Sequence, residues 1–202
     1  MRIGILLFDQ VDLLDVGGPY EVFLTANRLA ERRGGPPAFE VLTIGLTADP
    51  VEAYGGLMLY ASHHVDSVDR LDVVIVPGTI DLDGPDEALA PVLRLLAGST
   101  SLLTSVCTGS VLLARAGLLE DVPQATTHHE DVSLLGEVIG DRAVTARWVD
   151  AGSVVTAGGL SSGLAMALHL VDRLIDRDLA VTTAAQLAYD WDPADGILVT
   201  SD

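Results

Sequence analysis

The residue best suited to chemistry is the chain's single cysteine, Cys107. It follows an apolar run that ends at Val106 and precedes a helical pattern that begins at Val111. Because its neighbours are small, the backbone can turn sharply there, as in a nucleophile elbow, and lift the thiol above the sheet edge. The positive end of the helix dipole favours thiolate over thiol. Cysteines as a type are more often buried and structural, but the strand–turn–helix placement predicts a nucleophile.

Asp15 and His128 are the other candidates for chemistry. An aspartate between a first strand and a first helix is commonly a helix cap, and a histidine such as His128 is either an active-site contact or a structural hydrogen-bonding group. The histidine pairs at 63–64 and 128–129 are poor metal sites, since adjacent residues of an extended chain point to opposite sides. The glycines at 158–159 match no nucleotide-binding fingerprint. We therefore predict neither a metal nor a cofactor.

Strand-like and helix-like segments alternate along the chain, with no linker or repeat. The predicted strands are residues 3–8, 39–46, 72–77, 101–106, 124–127, 144–149 and 154–157; the predicted helices are 20–30, 86–97, 160–175 and 178–189, besides the one that follows Cys107. This order predicts one α/β domain over residues 1–202, with a mostly parallel, doubly wound sheet and helices on both faces. Ligands bind such sheets at the carboxyl ends of the strands. Three loops meet there, at residues 8–18, 78–79 and 107–108.

Composition and charge exclude some partners. The chain has 202 residues, of which 29 are acidic and 11 basic, for a formal charge of -18. An acidic surface repels phosphate backbones, so we expect no nucleic-acid partner. No segment reaches the roughly 18 uninterrupted apolar residues of a membrane span, so no membrane partner is expected either. A lone cysteine and the lack of a signal peptide favour the reducing cytoplasm.

Several short motifs, in order, resemble the ThiJ/PfpI superfamily, whose members are related to class I glutamine amidotransferase domains. They are GILLF at 4–8, LDVGGP at 14–19, VVIVPG at 73–78, TSVCTGS at 104–110, AGLL at 116–119, ATTH at 125–128 and TAGG at 156–159. Within the superfamily, the SVCTG elbow and the LDxxGP segment are most similar to isocyanide hydratases and to the amidotransferase-like sensor domains of AraC-type regulators. The resemblance implies a flavodoxin-like, amidotransferase-like sandwich.

The resemblance also assigns roles to residues. Asp15 is expected to approach the thiol of Cys107, in place of the glutamate found in many members. Backbone N–H groups near Gly78 and Thr79, and at Thr108, are expected to form an oxyanion-type hole.

Two positions depart from the family pattern, and one histidine belongs to it. His128 follows the family's Thr-Thr pair and is expected near the nucleophile. Thr79 stands where the family often has a second glycine, and His129 stands where a tryptophan is common.

The implied function is a cysteine-dependent enzyme that acts on a small molecule, most simply isocyanide hydratase. Cys107 attacks the terminal carbon, a thioimidate forms, and water releases an N-substituted formamide, with Asp15 as acid and base. An ionised Asp15 raises the thiol pKa by repulsion, whereas a protonated one donates a hydrogen bond to the thiolate; both states stay open.

The resemblance implies further alternatives and an assembly. A non-catalytic or redox sensor domain, related to the sensor domains of AraC-type regulators, is the second function, although a chain that ends at Asp202 leaves no room for their DNA-binding module. Glyoxalase, deglycase and peptidase activities are less favoured. A homodimer is expected.

Overall fold

A mostly parallel sheet of eight strands, flanked by helices, forms the molecule in the computed structural model, which describes residues 1–82 and 86–199. The helices are α1 (Leu13–Arg32), α2 (Asp86–Ser99), α3 (Gly109–Arg115), α4 (Val132–Ile139), α5 (Ser162–Leu174) and α6 (Arg177–Gln186). The strands are β1 (Arg2–Leu7), β2 (Glu40–Gly45), β3 (Val51–Glu52), β4 (Met58–Leu59), β5 (His63–His64), β6 (Leu71–Val76), β7 (Thr100–Val106), β8 (Trp148–Asp150), β9 (Val154–Ala157) and β10 (Ile197–Leu198). The predicted α/β class is confirmed.

The sheet order explains why the central strands are apolar throughout. The order is β10-β8-β9-β7-β6-β1-β2-β5, and only β8 against β9 is antiparallel, while β3 and β4 form a separate hairpin. Because helices cover both faces, β1, β6 and β7 bury almost every side chain, as parallel strands do. Within the described residues, no helix is both long and apolar enough to cross a membrane.

The three loops predicted at the carboxyl ends of the strands do meet. Val11 pairs with Thr79 through an isolated bridge, and the Asp12 N–H donates to the Gly78 carbonyl at 2.9 Å. The Cys107 turn follows β7, which pairs with β6 in parallel register. The loops that follow β1, β6 and β7 therefore share one edge of the sheet.

Several predicted boundaries were wrong, most of all that of α1. This helix begins at Leu13 and not at residue 20, because the Asp12 side chain caps it by accepting from the Leu14 N–H at 2.9 Å. Pro19 therefore lies inside the helix. The strand expected at 124–127 is only a bridge between Ala125 and Ala143. The one expected at 144–149 is confined to β8.

Three elements had no counterpart in the prediction. Helix α4 lies directly after the His128 segment, and the two-residue strands β5 and β10 close the sheet at its edges. Residues 53–57 form the turn of the hairpin between β3 and β4.

Candidate active site

The backbone of Cys107 is held in a strained turn. Its φ is 56°, in the left-handed region that non-glycine residues rarely occupy. The Cys107 N–H donates to the Ala157 and Gly158 carbonyls at 3.2 and 3.0 Å. The Cys107 carbonyl accepts from the Thr127 and Ser110 hydroxyls at 3.0 and 3.2 Å. A strained backbone that several hydrogen bonds hold in place is typical of functional positions.

Gly78 allows the groups around the thiol to crowd together. A Cβ added at this position would lie 2.7 Å from Thr108 Oγ1, 2.8 Å from Asp15 Oδ2 and 2.9 Å from Cys107 Cβ. Real side chains do not tolerate such distances, so only glycine lets the β6 loop pass between α1 and the elbow at Cys107.

Asp15 lies in the first turn of α1 and is fully buried. Its Oδ2 accepts from the Gly78 N–H at 2.9 Å, whereas its Oδ1 has no hydrogen-bond partner within the described part of the chain. The Cys107 thiol lies beside the carboxyl and favours its ionised form. Asp12, not Asp15, is the helix cap, so capping does not explain Asp15.

The surroundings of Asp15 bring its ionisation close to neutral pH. Burial, and after it the nearby Asp12 charge, raise the pKa of this carboxyl from 3.8 to about 7. The Gly78 N–H and the Cys107 thiol oppose the shift by stabilising the carboxylate. A carboxyl with a pKa near neutrality suits a group that must both take and give a proton.

Cys107 rests as a thiol and not as a thiolate. Burial, and after it the charge of Asp15, raise its pKa from 9.0 to about 12. The N–H groups of Thr108 and Leu160 work in the opposite direction by donating towards the sulfur. The expectation that the helix end makes a thiolate is therefore wrong, because burial and the carboxylate outweigh the dipole of the short helix α3.

Two of the amides expected to form an oxyanion hole are already engaged. The Gly78 N–H donates to Asp15, and the Thr79 N–H donates to Thr108 Oγ1 at 2.9 Å. Thr108 Oγ1 in turn donates to the Thr79 carbonyl at 2.7 Å. In this state neither amide is available to a ligand, so that part of the expectation needs correction. The Thr79 hydroxyl, which donates to the Gln10 carbonyl at 2.9 Å, fixes the loop instead.

Leu160 is a donor that the sequence did not single out. It follows the two glycines at 158–159 and has a φ of 39°, which turns its N–H towards the sulfur of Cys107. The TAGG motif contained the signal, since two glycines after a strand predict an unusual turn. The N–H groups of Thr108 and Leu160, which face the sulfur, are thus the donors that correspond best to the expected oxyanion hole.

A cleft of about 370 Å³ gives access to the sulfur. Cys107 keeps 9% of its surface exposed. The cleft is lined by Asp12, Thr79, Ile80, Leu82, Cys107, Thr108, His128, Glu130, Asp131 and Leu160. Such a volume falls in the lower part of the range of about 300–1,000 Å³ that small-molecule sites occupy.

His128 reaches the cleft and also packs against the chain. Its Nδ1 lies 3.6 Å from Asp131 Oδ2 and 3.8 Å from Glu130 Oε2. A Cβ on Gly159 would lie 2.3 Å from the ring's Cδ2, so the glycine makes room for the imidazole. The two roles considered for His128 are therefore compatible. His129, at the position of the family's tryptophan, holds its ring 4.3 Å from that of His128.

Among the described residues, no group of three or more His, Cys, Asp or Glu side chains is arranged to hold a metal ion. The pair His63–His64 forms the edge strand β5. The groups around the sulfur of Cys107 are the buried Asp15 carboxyl and the backbone N–H groups of Thr108 and Leu160.

Comparison with known proteins shows the family to which this chain belongs. A profile described as "DJ-1/PfpI family" matches residues 1–173. The chain is 35% identical to an isonitrile hydratase of Pseudomonas putida over 94% of its own length and 78% of the relative's. It is 28% identical to the HTH-type transcriptional regulator GbdR of Pseudomonas aeruginosa over 93% of its own length, but it spans only about half of that regulator.

Solved structures agree with the family. The fold matches the crystal structure of a ThiJ/PfpI family protein from Pseudomonas syringae with a TM-score of 0.80 and 25% identity, over 96% of this chain and 76% of the other. The chain belongs to the DJ-1/PfpI family, and the resemblance stated from its motifs is confirmed.

Proposed function

We propose that this member of the DJ-1/PfpI family is a cysteine-dependent enzyme that hydrates small isocyanides to N-substituted formamides. The observation that carries the proposal is the pairing of Cys107, on its strained turn, with the buried carboxyl of Asp15 at the base of the cleft. The 35% identity to an isonitrile hydratase over nearly the whole chain supports the same chemistry.

The first half of the reaction forms a carbon–sulfur bond. Ionised Asp15 takes the thiol proton while the sulfur of Cys107 attacks the terminal carbon of the isocyanide. The carboxyl then gives this proton to the same carbon, which leaves the thioimidate R–N=CH–S–Cys107 and an ionised Asp15. The N–H groups of Thr108 and Leu160 stabilise the negative charge that builds up on the sulfur during the attack.

The second half breaks that bond with water. Asp15 removes a proton from the water as its oxygen bonds to the thioimidate carbon, and passes this proton to the nitrogen. It then takes the hydroxyl proton as the carbonyl forms and the carbon–sulfur bond breaks, and it returns that proton to the sulfur of Cys107. The sum is one isocyanide and one water consumed and one formamide released, with Asp15 alternating between base and acid.

The test is formamide production from a simple alkyl isocyanide. We expect turnover by the native protein and a loss of about 10²–10⁴-fold in both Cys107→Ala and Asp15→Asn, since each removes a group that takes part in proton transfer or bond formation. Asp121→Asn is the matched control, because Asp121 is exposed and does not line the cleft. Failure of the native protein on several isocyanides, or full activity of Cys107→Ala, would refute the proposal.

A binding role without catalysis is the second candidate. It is favoured by the match to an HTH-type regulator, in which a region like this chain makes up about half of the protein. A redox version of this role is disfavoured, because peroxides oxidise the thiolate and the pKa of Cys107 is raised to about 12. Slow oxidation of Cys107 by peroxide, no faster than that of a free thiol, is the expected result.

We extend the proposal to assembly as a homodimer. Exposed apolar side chains cluster on the β3–β4 hairpin, where Tyr54, Leu57, Met58 and Tyr60 have 49–76% of their surface exposed. Sedimentation should give a dimer, and a monomer at micromolar concentration would contradict this part.

A further inference from the structure

Carboxylates dominate the mouth of the cleft. Asp12, Glu130 and Asp131 line it together with Cys107. The side chain of Glu130 is 76% exposed and that of Asp131 is 31% exposed, so a ligand that enters passes close to both. A carboxylate at such a position attracts cations and repels anions.

The basic side chains that line the cleft are fewer than the carboxylates. His128 is the only basic side chain among the described lining residues. Its Nδ1 faces the Glu130 N–H at 3.4 Å and the carboxylates of Asp131 and Glu130 at 3.6 and 3.8 Å, so three carboxylates of the lining stand against one imidazole. Arg115 donates to the Leu82 carbonyl at 2.8 Å and is not part of the lining.

The base of the cleft also favours a ligand with a positive charge. The Asp15 carboxyl is fully buried beside the Cys107 thiol, and its Oδ1 has no hydrogen-bond partner within the described residues. A buried carboxylate oxygen without a partner is unfavourable. A positive charge on a bound ligand would stabilise both this group and the carboxylates at the mouth.

We propose that the cleft selects small isocyanides whose substituent carries a positive charge, such as a quaternary ammonium group, and disfavours those that carry a carboxylate. This inference rests on the proposed function, because it takes the cleft around Cys107 as the substrate site. Asp12, Glu130 and Asp131 are the residues that determine the preference. The volume of about 370 Å³ fits a single small molecule of this kind.

The test compares three isocyanides of similar shape. They are 2-(trimethylammonio)ethyl isocyanide, its uncharged carbon isostere 3,3-dimethylbutyl isocyanide, and 3-isocyanopropanoate. We expect kcat/KM of the cation to exceed that of the isostere by roughly 10-fold or more at low salt, with the anion below both. Raising the salt from about 20 mM to about 500 mM should shrink the preference. A cation-to-isostere ratio of one or less overturns the inference while turnover itself upholds the proposed function.

Substitutions assign the preference to the cleft. Glu130→Gln combined with Asp131→Asn should lower the cation-to-isostere ratio by roughly 3- to 10-fold per carboxylate. The matched control combines Glu137→Gln with Asp121→Asn, which changes the net charge equally at two exposed positions outside the cleft. Equal changes in both double variants would mean that the overall charge, and not the cleft, sets the ratio, which also overturns the inference.

Binding separates failure of this inference from failure of the proposed function. Titration calorimetry with the formamides derived from the same three isocyanides needs no turnover. If no isocyanide is hydrated but the cationic formamide still binds at least roughly 10-fold more tightly than its isostere, the hydratase proposal fails and the charge preference stands. Equal affinities for the cationic and uncharged formamides overturn the preference, whatever the turnover.

Discussion

Replacing Asp15 by asparagine should stabilise the protein at neutral and alkaline pH while it abolishes activity. The pKa of Asp15 rises from 3.8 in the unfolded chain to about 7 in the folded one. A rise of about 3 units corresponds to roughly 4 kcal/mol, because each unit is worth about 1.4 kcal/mol. The native protein therefore loses that much stability when the carboxyl must ionise inside the fold.

The sign of the effect sets the pH window. Below pH 3.8 the carboxyl is protonated in both states, so the penalty is absent there. It grows as the pH rises, since the unfolded chain releases its proton first, and is complete above about pH 7. Asparagine has no charge to bury, and its amide oxygen can still accept from the Gly78 N–H that Asp15 engages at 2.9 Å.

Denaturant unfolding at two pH values measures this difference. We expect Asp15→Asn and the native protein to differ little near about pH 4, and the variant to be more stable by about 2–4 kcal/mol near pH 8. The pH should stay near 8, because the Cys107 thiol has a pKa of 9.0 in the unfolded chain and its ionisation adds a second pH dependence. Asp121→Asn, at an exposed position, should change stability by no more than about 0.5 kcal/mol at either pH. A variant that is no more stable than the native protein at pH 8 would refute a raised pKa at Asp15.

Three further predictions concern the same site. The value of kcat/KM should rise with pH through an apparent pKa of about 7, as Asp15 ionises. Asp12→Asn should move this rise to lower pH, because it removes a charge that raises the Asp15 pKa. A rise at the same pH in the variant would show that Asp12 has no such influence. Gly78→Ala should destabilise the protein by about 1–3 kcal/mol in thermal unfolding, because the added Cβ has no space. Gly98→Ala, at a helical position with open space around it, should stabilise the protein by up to about 1 kcal/mol. Similar effects of the two variants would contradict the crowding around Gly78. Thr108→Val should cost about 2–4 kcal/mol, since it leaves the buried N–H and carbonyl of Thr79 without their partner, and an unchanged denaturation midpoint would count against those bonds.

The sequence predicted the fold and the residues that meet at the site because short segments of the chain carry the signals for both. Apolar runs such as those of β1 and β6, covered on both faces, identify parallel strands. Parallel strands bring their carboxyl-end loops together, and the resemblance to the family assigned Asp15, on one of these loops, to the side of Cys107. The predicted start of α1 at residue 20 came too late, although Asp12 already caps the helix before Leu13.

What the sequence did not predict depends on distances between segments far apart in the chain. Whether an amide is free or engaged is one example: the Thr79 N–H is occupied by Thr108, 29 positions away. The balance that keeps Cys107 protonated is another, because burial and the Asp15 charge emerge only when α1 packs beside the elbow. A helix dipole can be inferred from a pattern, whereas the desolvation that outweighs it cannot.

The central claim is that Cys107 forms a covalent intermediate on the way to a formamide. The most direct test mixes the protein with a simple isocyanide, quenches the reaction at short times, and measures both the intact protein mass and the formamide. We predict a mass increase equal to one isocyanide, located on Cys107, that precedes the formamide and is absent from Cys107→Ser. Formamide produced by Cys107→Ser at the native rate, with no adduct on the native protein, would contradict the account.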